Sequence, residues 1–259
     1  MLLHSVQIKE SQKDVFPFHL SFMNQKIIFR REVTVLIGEN GSGKSTLLDL
    51  MSRELNLFRI GTPILDLPTM NMDLSYPLTK PKGIYFSSED FTTYIHEIER
   101  EKRSAAVEIE RVQIEYKNRS LLAQKLASMP HHRTLSELTN LHDRDLLKSS
   151  HGEAYLSFFK SRMRKNQLML LDEPETPLSF QNQLVLLLLM KEAVKQGCQL
   201  IVATHSPIVM SYPNASIFEI TKKGLSEKKV EEVENISLMK QFLNHPEAFL
   251  HHLFSEPNE

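Results

Sequence analysis

Residues Gly38 to Ser45 read GENGSGKS, which fits GxxxxGK[ST]. The motif stands between a short β-branched run, Val33 to Ile37, and a stretch whose apolar residues Leu47, Leu48, Met51 and Leu55 recur at helical spacing. Strand, glycine loop, helix is the setting in which this pattern holds phosphate. The glycines let backbone N–H groups turn inward around phosphate oxygens, and the following helix presents its positive end to them. Three of the chain's eight glycines, Gly38, Gly41 and Gly43, fall within six residues; glycine's entropic cost makes that density hard to explain as a simple turn. Lys44 would neutralise the β and γ phosphates of a nucleoside triphosphate, and the Ser45 hydroxyl would ligate Mg²⁺. Candidate nucleotide-binding residues are therefore Gly38, Glu39, Asn40, Gly41, Ser42, Gly43, Lys44, Ser45 and Thr46.

A second group is LMLLDEPE, Leu168 to Glu175. A carboxylate at the end of a buried strand suits a metal's coordination shell, which points to Asp172. Glu173, one residue on, faces differently and could polarise an attacking water as general base. An acidic pair by itself could also cap the next helix. Its pairing with the phosphate loop favours the chemical reading.

These residues need elements that bring them together. Leu168 to Leu171 and Leu200 to Ala203 are fully apolar runs, as expected of strands covered by helices on both faces of a sheet. Between them, LSFQNQLVLLLLMKEAVKQG predicts a long buried helix closed by Gly197. In doubly wound sheets the carboxyl ends of the strands face the ligand, so Lys44, Asp172 and His205 should converge on one edge. From His96 to Ala127 there is no proline or glycine, charge signs alternate, and Ile95, Ile98, Ala105, Ile109, Val112 and Tyr116 recur near a 3.5-residue spacing. This is either an exposed helical arm or hairpin, or a surface helix packed on its own domain. SIFEIT, the turn KKG and KKVEEVE predict a terminal β-hairpin, and the final amphipathic helix should break before Pro246.

A chain of 259 residues with 41% hydrophobic residues can bury one large core. Its net charge of -1 gives no overall pull toward nucleic acid or anionic membrane, so binding of that kind needs a local patch. The amino terminus lacks the pattern of a signal peptide, and the longest apolar run, Leu184 to Met190, is too short to span a bilayer. A cytoplasmic protein without stable membrane insertion is expected. Cys198 has no disulfide partner and reads as a small buried residue.

The order GENGSGKST, LMLLDEPE and a strand ending in Thr204, His205 and Ser206 resembles the ATP-binding cassette (ABC) ATPases, in particular the soluble branch that includes SMC and RecF. Still closer is the likeness to small stand-alone bacterial ATPases of the AAA_21-like kind, which carry SHGE, DEPE and THSP. The resemblance implies a P-loop NTPase fold of α/β class: a RecA-like core, an amino-terminal antiparallel β layer and an inserted helical subdomain. On that basis residues 1–259 form one domain, with 1–88 and 166–259 as β layer and core and 89–165 as the helical subdomain.

The same likeness implies Mg-dependent ATP hydrolysis and an ATP-dependent head-to-tail homodimer. Each site would take a signature from the partner, here Ser150, His151, Gly152 and Glu153, in which Ser149 and His151 depart from the usual LSGGQ. Read on the residues alone, a serine hydroxyl and a glycine backbone at a helix start suit an anion, and Ser150 to Glu153 equally fits a capping box. His205 matches the switch-histidine position, catalytic beside Glu173, and Pro177 to Gln181 follows as the D-loop does. The metal ligands implied are Ser45, Asp172 and, at the poorly matching Q-loop, Glu89. Phe16 and Phe18 are candidates for stacking on adenine by position.

DNA or a partner protein is the expected ligand of the helical insertion at 91–130, in repair or phage defence. A transporter's nucleotide-binding subunit and an ATP-binding scaffold with little turnover are the alternatives. His131 with His132, and His251 with His252, lack metal-site spacing on one helical face. Lys160, Arg162, Arg164 and Lys165 form a basic cluster that suits either a solvated helix end or nucleic acid phosphates.

Overall fold

The computed structural model describes residues 1–9, 20–60, 71–140 and 151–254. In chain order the described elements are β1 (Ser5–Lys9), β2 (Lys26–Ile28), β3 (Val33–Gly38), α1 (Lys44–Glu54), β4 (Phe58–Arg59), β5 (Asn71–Ser75), β6 (Gly83–Ser87), α2 (Ser88–Glu115) and α3 (Leu121–Asn140). Then come α4 (His151–Arg162), β7 (Leu168–Asp172), α5 (Phe180–Lys195), β8 (Gln199–Ala203), α6 (Pro207–Met210), β9 (Ser216–Thr221), β10 (Gly224–Lys228), α7 (Glu234–Asn244) and α8 (Pro246–Phe254).

Two sheets form among the described residues. The larger has the order β10-β9-β3-β8-β7-β6-β4, parallel throughout except for β10, which pairs antiparallel with β9. The smaller, β2-β1-β5, is antiparallel. Every residue of β7 and β8 is buried, as expected of central parallel strands. Each fully buried aliphatic side chain of this kind stabilises the fold by roughly 1.5–3 kcal/mol before chain entropy is counted.

Alternation along the strands sorts the core onto two faces. Met169, Leu171, Leu200 and Val202 meet α4 and α5 on one side. Leu168, Leu170, Ile201 and Ala203 share the other with α1 and with Val6, Phe22 and Ile27 of the β layer. The α/β architecture with its antiparallel layer is thus the one the sequence implies.

Helix α2 enters this frame through its first turns only. Phe91 packs in an aromatic cluster with Phe86, Tyr155 and Phe158, with centroids 5.0–6.0 Å apart. Beyond it the buried residues Ile98, Ala105, Ile109 and Val112 lie outside both core clusters, and the helix they accompany is α3. The insertion is therefore a helical hairpin packed on itself, not a surface helix laid on the domain.

Helix α3 continues through Pro130, past the end of the pattern at Ala127. Helix α5 is buried only on one face: Leu186, Leu189, Met190 and Ala193 are covered, whereas Leu184, Val185 and Leu188 are exposed. The expected fully buried helix is corrected on this point, because a single sheet covers one side of it. Gly197 takes φ 84°, and the break at Pro246 falls where expected. A hairpin follows SIFEIT, but its second strand is Gly224–Lys228; the expected KKVEEVE instead turns through a 3-10 segment at Val230–Glu232 into α7, so the hairpin is shorter than the sequence predicts.

Candidate functional site

The carboxyl ends of β3, β6, β7 and β8 lie at one edge, where Ser87 is in register with Asp172 and Asp172 with Ala203. Here the loop after β3 wraps the start of α1. A cavity of about 660 Å³ opens at this edge, lined by Leu20, Asn40, Gly41, Gly43, Lys44, Ser45, Thr46, Glu173 and His205. Residues from three separate words of the sequence thus meet around one space.

Gly43 caps α1 at φ 97°, a left-handed conformation that disfavours a side chain. A Cβ there would also lie 2.7 Å from Phe22 Cε1, so the β layer presses on the loop from behind. Lys44 is buried and donates through Nζ to the carbonyl oxygens of Gly38 and Glu39 at 2.9 and 3.1 Å. Burial lowers its pKa, against the pull of the Glu173, Asp172 and Glu175 carboxylates.

The hydroxyl of Ser45 donates to Asp172 Oδ1 at 2.9 Å, and the hydroxyl of Tyr85 donates to Oδ2 at 3.1 Å. Burial pushes the Asp172 carboxyl up to about 6, although both hydrogen bonds oppose the shift. The Tyr85 phenol is likewise pushed up, first by burial and then by the neighbouring carboxylate. A hydroxyl and a carboxylate oxygen side by side at a phosphate loop form the hard oxygen donor set that Mg²⁺ takes when phosphates complete its shell. The described residues thus fit Mg-ATP. Among them no group of three or more histidine, cysteine, aspartate or glutamate side chains gathers into a metal cage.

Glu173 follows Asp172 with φ 46°, a conformation that costs a non-glycine residue roughly 1–3 kcal/mol. Its N–H donates to Ala203 O at 2.8 Å, which locks the turn against β8. The turn puts the carboxylate into the cavity, with Glu173 Oε1 3.7 Å from His205 Nε2. Acid and imidazole can therefore act on one water-sized volume.

Glu175 organises the opposite side of this turn. Its Oε1 accepts from Thr204 Oγ1 at 2.6 Å and from the backbone N–H groups of His205 and Ser206 at 2.8 and 3.1 Å. This carboxylate fixes the segment that presents His205. A further clamp lies under Tyr85: the Arg59 guanidinium sits 4.5 Å from its ring centroid, donates to Asp90 Oδ2 at 2.9 Å and pairs with Asp49. Burial would lower the pKa of Arg59, but the hydrogen bond and charge of Asp90 hold it above its usual value. Tyr85, Arg59 and Glu175 are absent from the sequence-derived candidates. The DEPE word contained Glu175, but Tyr85 and Arg59 carry no local signal.

Other candidates fall elsewhere. Glu89 is exposed on the first turn of α2 and does not line the cavity; the buried acid there is Asp90, turned toward Arg59. Ser150, Phe16 and Phe18 lie outside the described residues. His151 begins α4, and Glu153 is exposed on its first turn. Gly152 is buried against the start of α5: a Cβ would lie 2.7 Å from Asn182 Nδ2 and 3.2 Å from Pro177 O. Neither Gly152 nor Glu153 lines the cavity. His131 and His132 stand on α3, and Arg162, Arg164 and Lys165 of the basic cluster lie at the other edge of the sheet.

Among solved structures, a nucleotide-free ATP-binding cassette from an ABC transporter superposes with a TM-score of 0.51 at 16% identity, covering 99% of this chain and 100% of that one. The cbiO1 protein of Clostridium perfringens, part of the ABC transporter complex cbiONQ, gives a TM-score of 0.47 at 17% identity, covering 97% of this chain and 98% of that one. The SMC head domain from Thermotoga maritima gives 0.42 at 16% identity, covering 88% and 98%. No curated protein matches. The family model described as ABC transporter matches residues 25–176, more than half of the chain and the whole run from β2 through the Glu173 turn. With this match joined to the cavity above, the chain belongs to the ABC transporter family and is an ATPase that binds ATP with Mg²⁺.

Proposed function

We propose that two copies of this chain associate head to tail around two Mg-ATP, and that turnover opens the pair. Lys44, Ser45, Asp172, Glu173 and His205 would come from one copy, with Ser150 and Gly152 from the other. The observation that carries this reading is the separation of Gly152 from its own cavity: it packs on Pro177 and Asn182, outside the lining. A signature that leaves its own nucleotide uncovered suits contact with a partner's, and a two-fold axis would make both sites equivalent. ATP then acts as interfacial glue.

Within each site the residues divide the work. Lys44 would move from its carbonyl partners to the phosphates, and Glu173 would take a proton from the attacking water while His205 orients it. Held by Ser45 and Asp172, Mg²⁺ would neutralise charge developing between the β and γ phosphates. Residues 1–259 would act as one cassette with 89–165 as its helical part, as in the small stand-alone ATPases with an SHGE signature.

The job we propose is DNA-associated or defensive, in the cytoplasm. Two features support it: the α2–α3 hairpin, which springs from the nucleotide edge through β6, and the lack, among the described residues, of any helix long and apolar enough to cross a membrane. Service as a transporter's nucleotide-binding subunit is the rival, favoured by the family's own description. Copurification with a membrane protein would decide for that rival.

The test is the solution mass of Glu173→Gln with and without Mg-ATP, with Lys44→Ala and Ser150→Arg each added in turn. An ATP-dependent shift from monomer to dimer, abolished by either addition, is expected. A mass indifferent to bound ATP overturns the homodimer.

A further inference from the structure

A second cavity, of about 430 Å³, lies where β6 and β7 begin. Gly83 and Leu168 are paired there, four residues upstream of the Ser87–Asp172 pair at the nucleotide edge, or about 13 Å along the strands. The two cavities share no residue. Lys82, Arg162, Arg164 and Lys165 line the second one, together with Phe58 and, among the described residues, no carboxylate. In a chain with 31 basic and 32 acidic side chains, four cations lining one hollow form the local patch that the global charge does not supply.

The site is built rather than merely charged. Arg162 ends α4 with its guanidinium 4.8 Å from the centroid of Phe158 and 5.7 Å from that of Phe58. Phe158 belongs to the aromatic core, so Arg162 is seated on a rigid base. Its Nε is buried without a hydrogen-bond partner among the described residues. Arg164 is pinned through Nη1 to the carbonyls of Ser161 and Met163 at 2.9 and 3.0 Å. Phe58, on the edge strand β4, leaves 55% of its surface exposed beside these cations.

We infer that this hollow binds single-stranded nucleic acid, its cations taking the phosphodiester backbone and Phe58 stacking an unpaired base. Fixed cations beside an open aromatic face are what a single strand requires, since each of its bases offers a π-face and each linkage a charge. A duplex keeps its bases stacked internally and would leave Phe58 unused. Because the site lies on the edge opposite the nucleotide, a strand and ATP can be held together. The inference deepens the DNA-associated reading above and takes from it only the class of ligand.

The probe is a fluorescein-labelled 20-residue oligothymidylate, with anisotropy measured on the full chain at several salt concentrations. Saturable binding is expected, with a slope of log affinity against log salt of about −2 to −3, for three to four phosphates contacted. Phe58→Ala should weaken it about fivefold or more at an unchanged slope. The double variant Arg164→Glu, Lys165→Glu should weaken it at least tenfold and flatten the slope. Both should keep basal ATP turnover within twofold and an unchanged melting temperature, and Lys82→Glu serves should the double variant misfold. Binding that neither change weakens would overturn this site and leave the DNA reading to another surface, such as the hairpin. Absence of binding overturns both. A duplex bound as tightly as the single strand, with Phe58→Ala silent, overturns the stacking role and with it the assignment.

Discussion

The hydroxyl of Tyr85 donates to Asp172 across the β6–β7 pair, so the carboxylate is held from a strand outside both the phosphate loop and the LLDEPE run. This bond favours the ionised form, against the burial that pushes Asp172 up to about 6. Tyr85→Phe removes it without changing the volume at the core face. A charge-assisted bond of about 1.5 kcal/mol corresponds to about one pH unit, so the Asp172 carboxyl should rise by up to that amount. Mg-ATP affinity, measured by titration calorimetry from pH 5 to 8, should therefore begin its fall at higher pH in Tyr85→Phe. An acid limb identical to that of the parent would show that Tyr85 does not position the carboxylate.

The same shift makes a prediction about stability. Because the folded pKa of Asp172 lies above the ordinary 3.8, ionising it costs the metal-free fold. That contribution is fully present below about pH 4 and is lost as pH rises through about 6. At pH 7.5 the loss is roughly 3 kcal/mol. Asp172→Asn should thus melt several degrees higher than the parent at pH 7.5 without metal, by an amount that shrinks toward pH 5, while losing ATP turnover. Scanning calorimetry at the two pH values measures it, and a parent more stable than the variant at pH 7.5 would contradict it.

Part of this site is legible in the residues because backbone geometry leaves letters behind. Gly43 at a left-handed cap, the four-residue apolar runs within β7 and β8, and Gly197 after α5 each reflect a local constraint that few residue types satisfy. Tyr85 and Arg59 are not legible in that way. Their roles depend on β4 pairing with β6 and β6 with β7, relations between segments more than eighty residues apart for the latter pair. In sequence Tyr85 is simply one aromatic residue in an apolar run. Helix α3 was obscured for a different reason: Pro130 reads as a boundary, yet an exposed hairpin absorbs the missing hydrogen bond and continues to Asn140.

Gly152 is tightly placed. An added methyl would meet the flexible Asn182 amide at 2.7 Å and the Pro177 carbonyl at 3.2 Å, so the start of α4 must move by some tenths of an ångström. Gly152→Ala should keep ATP affinity within a fewfold of the parent, because Gly152 does not line the cavity, while lowering turnover and ATP-dependent dimerisation about tenfold or more. Adding Asn182→Gly removes the nearer obstacle and should restore part of the loss. Equal turnover in parent and Gly152→Ala would mean that the position of α4 is irrelevant to the site.

Arg59 joins Asp49 of α1 to Asp90 of α2 while its guanidinium covers the Tyr85 ring, and all three charged side chains are nearly buried. Removing the cation strands the buried Asp90 carboxylate and leaves Asp49 paired with Arg53 alone, a loss of about 3–5 kcal/mol. Arg59→Met should therefore lower the melting temperature by on the order of 10 °C. Arg59→Lys keeps the charge but lacks the planar fork that reaches both acids, so it should recover only part of the loss. Adding Asp90→Asn to Arg59→Met removes the stranded charge and should raise the melting temperature again. That recovery separates an electrostatic clamp from simple packing of the arginine stem, for which the second change would bring no gain.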